Sequence, residues 1–217
     1  MTYRETITRT AEAKFVHAKQ LGSAGEFATV RLRLEPLPPG VGIEFSNEII
    51  GGAIPGEFIP SIEKSIHDSA HKGGVRGYPV IDFRATLLDG DYHEVDSTAQ
   101  TFATAAEGAF LKAMSDADPI LLELIMKVIV EVPEEYLGHI IGDILERKGL
   151  IEGLVSDGPR PVMEALVSAV NLAGYEEFLR NITSGNAKCT MTEHHWQRCR
   201  VPDPDPRFPG AVGARVA

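Results

Sequence analysis

The chain opens on alternation of apolar and polar positions. Residues 3–17 (YRETITRTAEAKFVH) contain stretches in which every second side chain is apolar, as in an edge or half-exposed strand. Gly22, Ser23, Ala24 and Gly25 interrupt the pattern, and residues 27–34 (FATVRLRL) resume it, which predicts a hairpin-like pair joined by a Gly-rich loop. After PLPPG, a short apolar stretch at 41–50 is closed by Gly51-Gly52. Pro55 marks the approach to a helix carried by Ile59, Ile62, Ile66 and Ala70 at three- and four-residue spacing, and Gly73-Gly74 ends it. Residues 80–88 (VIDFRATLL) give the clearest strand of the first half, with Asp89-Gly90 as a turn signal. Asp96-Ser97 is the expected cap of a second helix, whose apolar side is Phe102, Ala105 or Ala106, Ala109, Phe110 and Ala113, widened by Met114. Small residues there allow close approach to a sheet. Residues 116–119 (DADP) end that helix and mark a candidate domain boundary.

The second half reads as β-α-β-β-α-β. Residues 125–132 (IMKVIVEV) predict a strand, followed by a helix with Pro133 at its first position and Glu134 and Glu135 in its first turn. Leu137, Ile140, Ile141, Ile144 and Leu145 form its expected buried stripe, and Arg147-Lys148-Gly149 its end. Strands follow at 150–155 and 162–170, then a short helix at 174–184 with Phe178, Leu179 and Ile182 inward, and a last strand at 188–196. This order predicts a ferredoxin-like split βαβ domain of about eighty residues. Residues 198–217, rich in Pro, Gly and charge, are expected to be a disordered tail. The fold class is therefore α+β.

Composition changes this picture little. The 217 residues suffice for one large domain or two small ones, and the 43% apolar and 24% charged fractions suit an ordinary globular protein. No apolar run reaches the roughly 18–20 residues that span a bilayer, and MTYRETITRT has no targeting character, so no membrane is expected and the cytoplasm is the expected location. Charge matters more. The net charge is −10, and residues 1–122 hold 11 Lys+Arg against 17 Asp+Glu. A module that grips bare nucleic acid carries a basic face, so any RNA contact here must be local and docked by shape.

Cys189 and Cys199 are the only cysteines, within CTMTEHHWQRC. The cluster admits a zinc site using them with one or both of His194 and His195, or a terminal strand with incidental histidines. Regular alternation would put Cys189, Met191, Glu193 and His195 on one face and His194 and Trp196 on the other, which favours the strand. A four-ligand site would need the strand to break there. Phosphate-loop, zinc-protease, nucleophile-elbow, dinucleotide and EF-hand signatures are absent. His93, with Asp91, Glu94 and Asp96 nearby, remains as a general acid or base, a binding contact, or a plain surface histidine.

Three long segments, IEFSNEIIGGAIPGEFIPSIEKSI, GYPVIDFRATLLDGDYHEVDST and MKVIVEVPEEYLGHIIGDILERKG, resemble the C-terminal half of elongation factor G in this order, and GYEEFLRNITSGNAKCTM is similar to the family's ending. The resemblance runs from Arg4 to about Trp196. It implies that residues 1–119 are domain IV, with the fold of the second domain of ribosomal protein S5 and its left-handed crossover. Residues 120–197 would be domain V, ferredoxin-like.

The same resemblance implies a ribosome partner. Domain IV would reach the small-subunit decoding region and the tRNA–mRNA duplex during translocation, and domain V the large-subunit RNA. The implied tip contacts are Gly22, Ser23, Ala24, Gly25 and Glu26 in one loop and Asp91, Tyr92, His93 and Glu94 in another. No residue is implied to be catalytic and no cofactor is expected, because GTP and Mg belong to a G domain among the N-terminal domains missing from this chain. Ala24 stands where the family usually has arginine, Glu26 adds an acid, and Gly185-Asn186-Ala187 replaces glycine-arginine-glycine. Two positions facing RNA thus lose positive charge. A ribosomal-protection factor against tetracycline, a non-functional remnant, and a small hydrolase using His93 stay as alternatives, with the YHEVDS loop favouring the translocation factor.

Overall fold

The computed structural model describes residues 2–21, 24–156 and 158–199, with only the backbone of Leu21 and Ala24; the tail expected at 198–217 lies outside the described residues from position 200 onward. The chain divides into two compact units built on Tyr3–Leu121 and Leu122–Arg198.

In the first unit the alternating stretch at 3–17 divides between β1 (Tyr3–Ile7) and β2 (Ala11–Leu21). The break falls where the Thr8 and Arg9 N–H groups both donate to the Ala117 carbonyl at 3.2 Å. β2 pairs antiparallel with β3 (Ala24–Pro36), and the sheet continues through β5 (Phe83–Asp91) to β4 (Ile43–Asn47), in the order β2-β3-β5-β4. β4 and β5 are parallel, joined through α1 (Ile59–Lys72), which Gly73 ends. The strand expected from Val80 begins at Phe83 instead. Asp82 adopts a left-handed backbone (φ 57°), and its Oδ1 accepts the N–H groups of Gly40 and Gly42 at 3.1 and 2.8 Å.

α2 (Ala99–Asp116) packs its small-residue face on β2 and β3, with the expected apolar positions buried and both Ala105 and Ala106 among them. A Cβ on Gly108 would stand 2.6 Å from the Phe15 ring, so the close approach depends on the missing side chain. Across the other side of the helix, Ser65 Oγ donates to the Ala103 carbonyl at 2.6 Å, tying α1 to α2.

β6 (Pro119–Glu131) starts six residues earlier than expected, directly after Asp118 with its left-handed φ of 52°. The second unit then follows as α3 (Glu134–Glu146), β7 (Leu150–Val155), β8 (Val162–Ser168), a 3-10 turn over Ala169–Leu172, α4 (Tyr175–Thr183) and β9 (Lys188–Arg198). Its strand order, β9-β6-β8-β7, is the ferredoxin-like one. Val128, Val130 and Val132 of the β6 segment and Met163, Ala165 and Val167 of β8 meet Ile140 and Ile144 from α3 and Tyr175 and Leu179 from α4.

Two details of these helices differ from expectation. Pro133 is the residue before the helix rather than its first position, and Leu145 is 57% exposed rather than part of the buried stripe. In α4 the buried row is Tyr175, Leu179 and Thr183, one above the other at four-residue spacing, while Phe178 and Ile182 are half-buried.

Candidate functional site

The candidate site is built at one end of the first sheet. β2 and β3 stay in register from Ala11–Leu34 to Leu21–Ala24. Gly22 and Ser23, two expected tip residues, come between these last partners and lie outside the described residues. Beside β3, β5 continues to a Thr29–Asp91 pair, with a bulge between Arg31 and Leu32. Asp89-Gly90 is therefore not a turn: Asp89 faces Arg31 and Gly90 faces Val30 inside the ladder. Glycine is required there for room. A Cβ on Gly90 would lie 2.4 Å from the Thr29 carbonyl oxygen and 2.5 Å from Ile54.

Beyond Asp91, residues 92–97 fold back onto β3. The Phe27 N–H donates to the Asp96 carbonyl at 3.0 Å, and Ser97 Oγ donates to the Phe27 carbonyl at 2.7 Å. The loop closes on itself as well, with the His93 N–H donating to Ser97 Oγ at 2.8 Å and the Ser97 N–H to the His93 carbonyl at 3.0 Å. Asp96-Ser97 consequently does not cap α2. That role falls to Thr98, whose hydroxyl accepts from the Thr101 N–H at 3.2 Å while Thr101 Oγ1 accepts from the Thr98 N–H at 2.8 Å. The Asp96 carboxylate instead meets His93 Nδ1 at 3.1 Å and covers Gly25.

Gly25, Glu26, Asp91, Tyr92, His93 and Glu94 are thus gathered at one sheet end, while Ala24 is located by its backbone pairing alone. Tyr92, His93 and Glu94 are exposed. Glu26 is not a free acid: its Oε2 lies 2.8 Å from His17 Nε2 in β2. Lys14 and Asp91 make a looser, exposed pair at 3.4 Å, of a kind that contributes little to stability. His17 was not singled out by sequence reasoning, and Phe27 and Ser97 were read only as the start of a strand and part of a helix cap. Only their position across the hairpin and beside the loop shows their role, and no local motif marks it.

A hydrolase needs a nucleophile or activated water held in a cleft. His93 instead sits on an exposed loop. A groove between α1 and α2, lined by Ser61, Lys64, Asp68, Gln100, Thr104 and Glu107 among others, contains none of the tip residues.

In the second unit, Gly185-Asn186-Ala187 follows the left-handed Ser184 that ends α4. This turn carries no arginine of its own, yet Arg160 Nη2 donates to the Asn186 carbonyl at 2.6 Å while its Nε pairs with Glu131 at 2.9 Å. Cys189 is half-buried at the start of β9, and burial pushes its thiol up to about 11. His195 comes six residues later, roughly 20 Å away at about 3.3 Å per extended residue, too far to share a metal. The strand bulges at the histidines but does not break. His195 pairs with Ile125 and Glu193 with Met126, so His194 is an extra residue in a bulge, and the opposite-face arrangement expected for His194 and His195 does not hold. Among the described residues, no three His, Cys, Asp or Glu side chains gather as a metal set.

Known proteins bear on this geometry in three ways. Family models described as "Elongation factor G, domain IV" and "Elongation factor G C-terminus" match residues 1–118 and 120–205. Proteins named elongation factor G from Orientia tsutsugamushi (strain Ikeda) and Hyphomonas neptunium (strain ATCC 15444) are each 44% identical over 198 and 196 residues, covering 91% and 90% of this chain. A crystal structure of a Thermus thermophilus protein superposes with a TM-score of 0.85 at 36% identity, covering 97% of this chain and 31% of that one. The chain belongs to the elongation factor G family. It corresponds to a C-terminal part of such a translation factor, spanning 28% of the length of those two relatives, and the matched domains are not the GTPase domain.

Proposed function

We propose that this chain is the ribosome-facing part of an elongation factor G-type protein and supports tRNA–mRNA translocation by placing its first-unit tip near the A site, in the decoding region of the ribosome. In this reading residues 1–119 form the inserted module and residues 120–197 the module that meets large-subunit RNA. Gly22, Ser23, Ala24, Gly25 and Glu26 with Asp91, Tyr92, His93 and Glu94 are the contacting residues, and the cytoplasm is the setting. GTP hydrolysis is the work of a G domain elsewhere in the parent factor.

The observation that carries this reading is the pinning of loop 92–97 to β3 through Phe27, Asp96 and Ser97. A loop pinned in this way to the end of a sheet holds its exposed side chains in place, as suits a projection that occupies vacated space without bond chemistry. The acidic balance gives no general attraction to RNA, so in this reading docking rests on shape, with the second unit adding a linked contact. Co-sedimentation with ribosomes at low salt is the test. Pelleting that weakens on His93→Ala supports the proposal, and absence of the chain from the pellet at every salt concentration contradicts it.

A further inference from the structure

The paired histidines of β9 have a geometry the ribosomal role does not use. Consecutive side chains of a regular strand point to opposite faces. The bulge at His194 cancels that alternation, and His194 Nδ1 comes to 2.6 Å from His195 Nδ1, with the rings 4.9 Å apart and inclined at 74°. Two imidazole nitrogens this close can hold only one proton between them, so at least one directs a lone pair into the gap. Both residues are exposed, so a small ion reaches them without disturbing the core.

We propose that His194 and His195 form a two-imidazole site for a divalent transition cation of the nickel or copper kind. Nitrogen ligands select this class over magnesium or calcium, which take oxygen. Geometry narrows it further. Two nitrogens at about 2.0 Å from a metal are about 2.8 Å apart in a right-angled arrangement and about 3.3 Å apart in a tetrahedral one. The observed 2.6 Å opens to the first by a slight ring rotation and to the second only by a larger one. With no third His, Cys, Asp or Glu joining among the described residues, water fills the other positions, and the ion is exchangeable rather than structural.

The chain carries its own reporter, because its single tryptophan, Trp196, is the next residue. Nickel(II), which does not oxidise the thiols, is added to the full chain while Trp196 fluorescence is followed. The expected result is saturable quenching that magnesium does not produce, with at least about tenfold weaker binding in His194→Gln and in His195→Gln. His71→Ala, in α1 of the other unit, leaves the quenching unchanged. Quenching that never saturates, or that survives the double His194→Gln/His195→Gln substitution, overturns the site. Circular dichroism of each variant shows that the fold is retained, which is expected for exposed positions.

Discussion

Gly25 lies directly beneath the Asp96 carboxylate, so close that a Cβ on Gly25 would stand 2.8 Å from Asp96 Cγ. The contact joins the hairpin end to loop 92–97. Glycine's part here is to lack a side chain.

Gly25→Ala pushes the Asp96 carboxylate away from His93. Overpacking of this kind costs about 1 kcal/mol here, at the low end because Asp96 is short and half-exposed. Asp96→Ala vacates the same space, so the double variant loses less stability than the two single losses added together. Urea denaturation of the four proteins checks this. Strict additivity would mean the contact does not couple the loops.

Gly90→Ala is the more damaging change. The obstruction is the Thr29 backbone oxygen at 2.4 Å with Ile54 on the same side, and backbone inside a ladder cannot swing aside. A loss of about 2–3 kcal/mol is expected, visible as a lowered urea midpoint with separation of β5 from β3. A midpoint equal to that of Gly25→Ala would contradict the assigned cause.

Glu5 gives the first unit a pH dependence. It is fully buried; its Oε1 accepts the N–H groups of Arg76 and Tyr78 at 2.9 and 3.0 Å, and its Oε2 has no hydrogen-bond partner among the described residues. Burial raises the carboxyl above the ordinary glutamate range, opposed by the Tyr78 and Arg76 N–H groups and the Arg76 charge. The folded state therefore binds the proton more tightly than the unfolded chain. This contribution is fully present below the unfolded value and is lost as pH rises through the folded one. Glu5→Gln keeps an acceptor for the two N–H groups and removes the buried charge. Its denaturation midpoint falls less than that of the parent between mildly acidic and neutral pH, and an equal or steeper fall would contradict the account.

Legibility in the sequence followed the range of the forces involved. The second unit was readable because each element carries its own periodicity and end signals: alternating valines in β6, acids in the first turn of α3, the Ser184-Gly185 end of α4. The apolar face of α2 was readable for the same reason. Asp89-Gly90 misled because a glycine that makes room for a neighbouring strand looks, in one dimension, like a glycine that turns the chain. Asp96 misled similarly, since an acid before a helix suits a cap until Thr98 and Thr101 are seen to cap each other. The tip residues were named from family resemblance, whereas His17 and Phe27 act across strands, and their partners lie 9 and 69–70 residues away. The bulge at His194 depends on β6 and could not be read from β9 alone.

The most direct test of the proposed role is site-directed crosslinking from the tip. A photoreactive probe on His93→Cys, in a chain with Cys189 and Cys199 replaced by serine, is bound to ribosomes at low salt and activated. Crosslinks to small-subunit RNA of the decoding region are predicted, reduced when Gly90→Ala loosens β5. Crosslinks confined to other ribosomal RNA, or none at saturating protein, would contradict the proposal that this end of the molecule enters the A site.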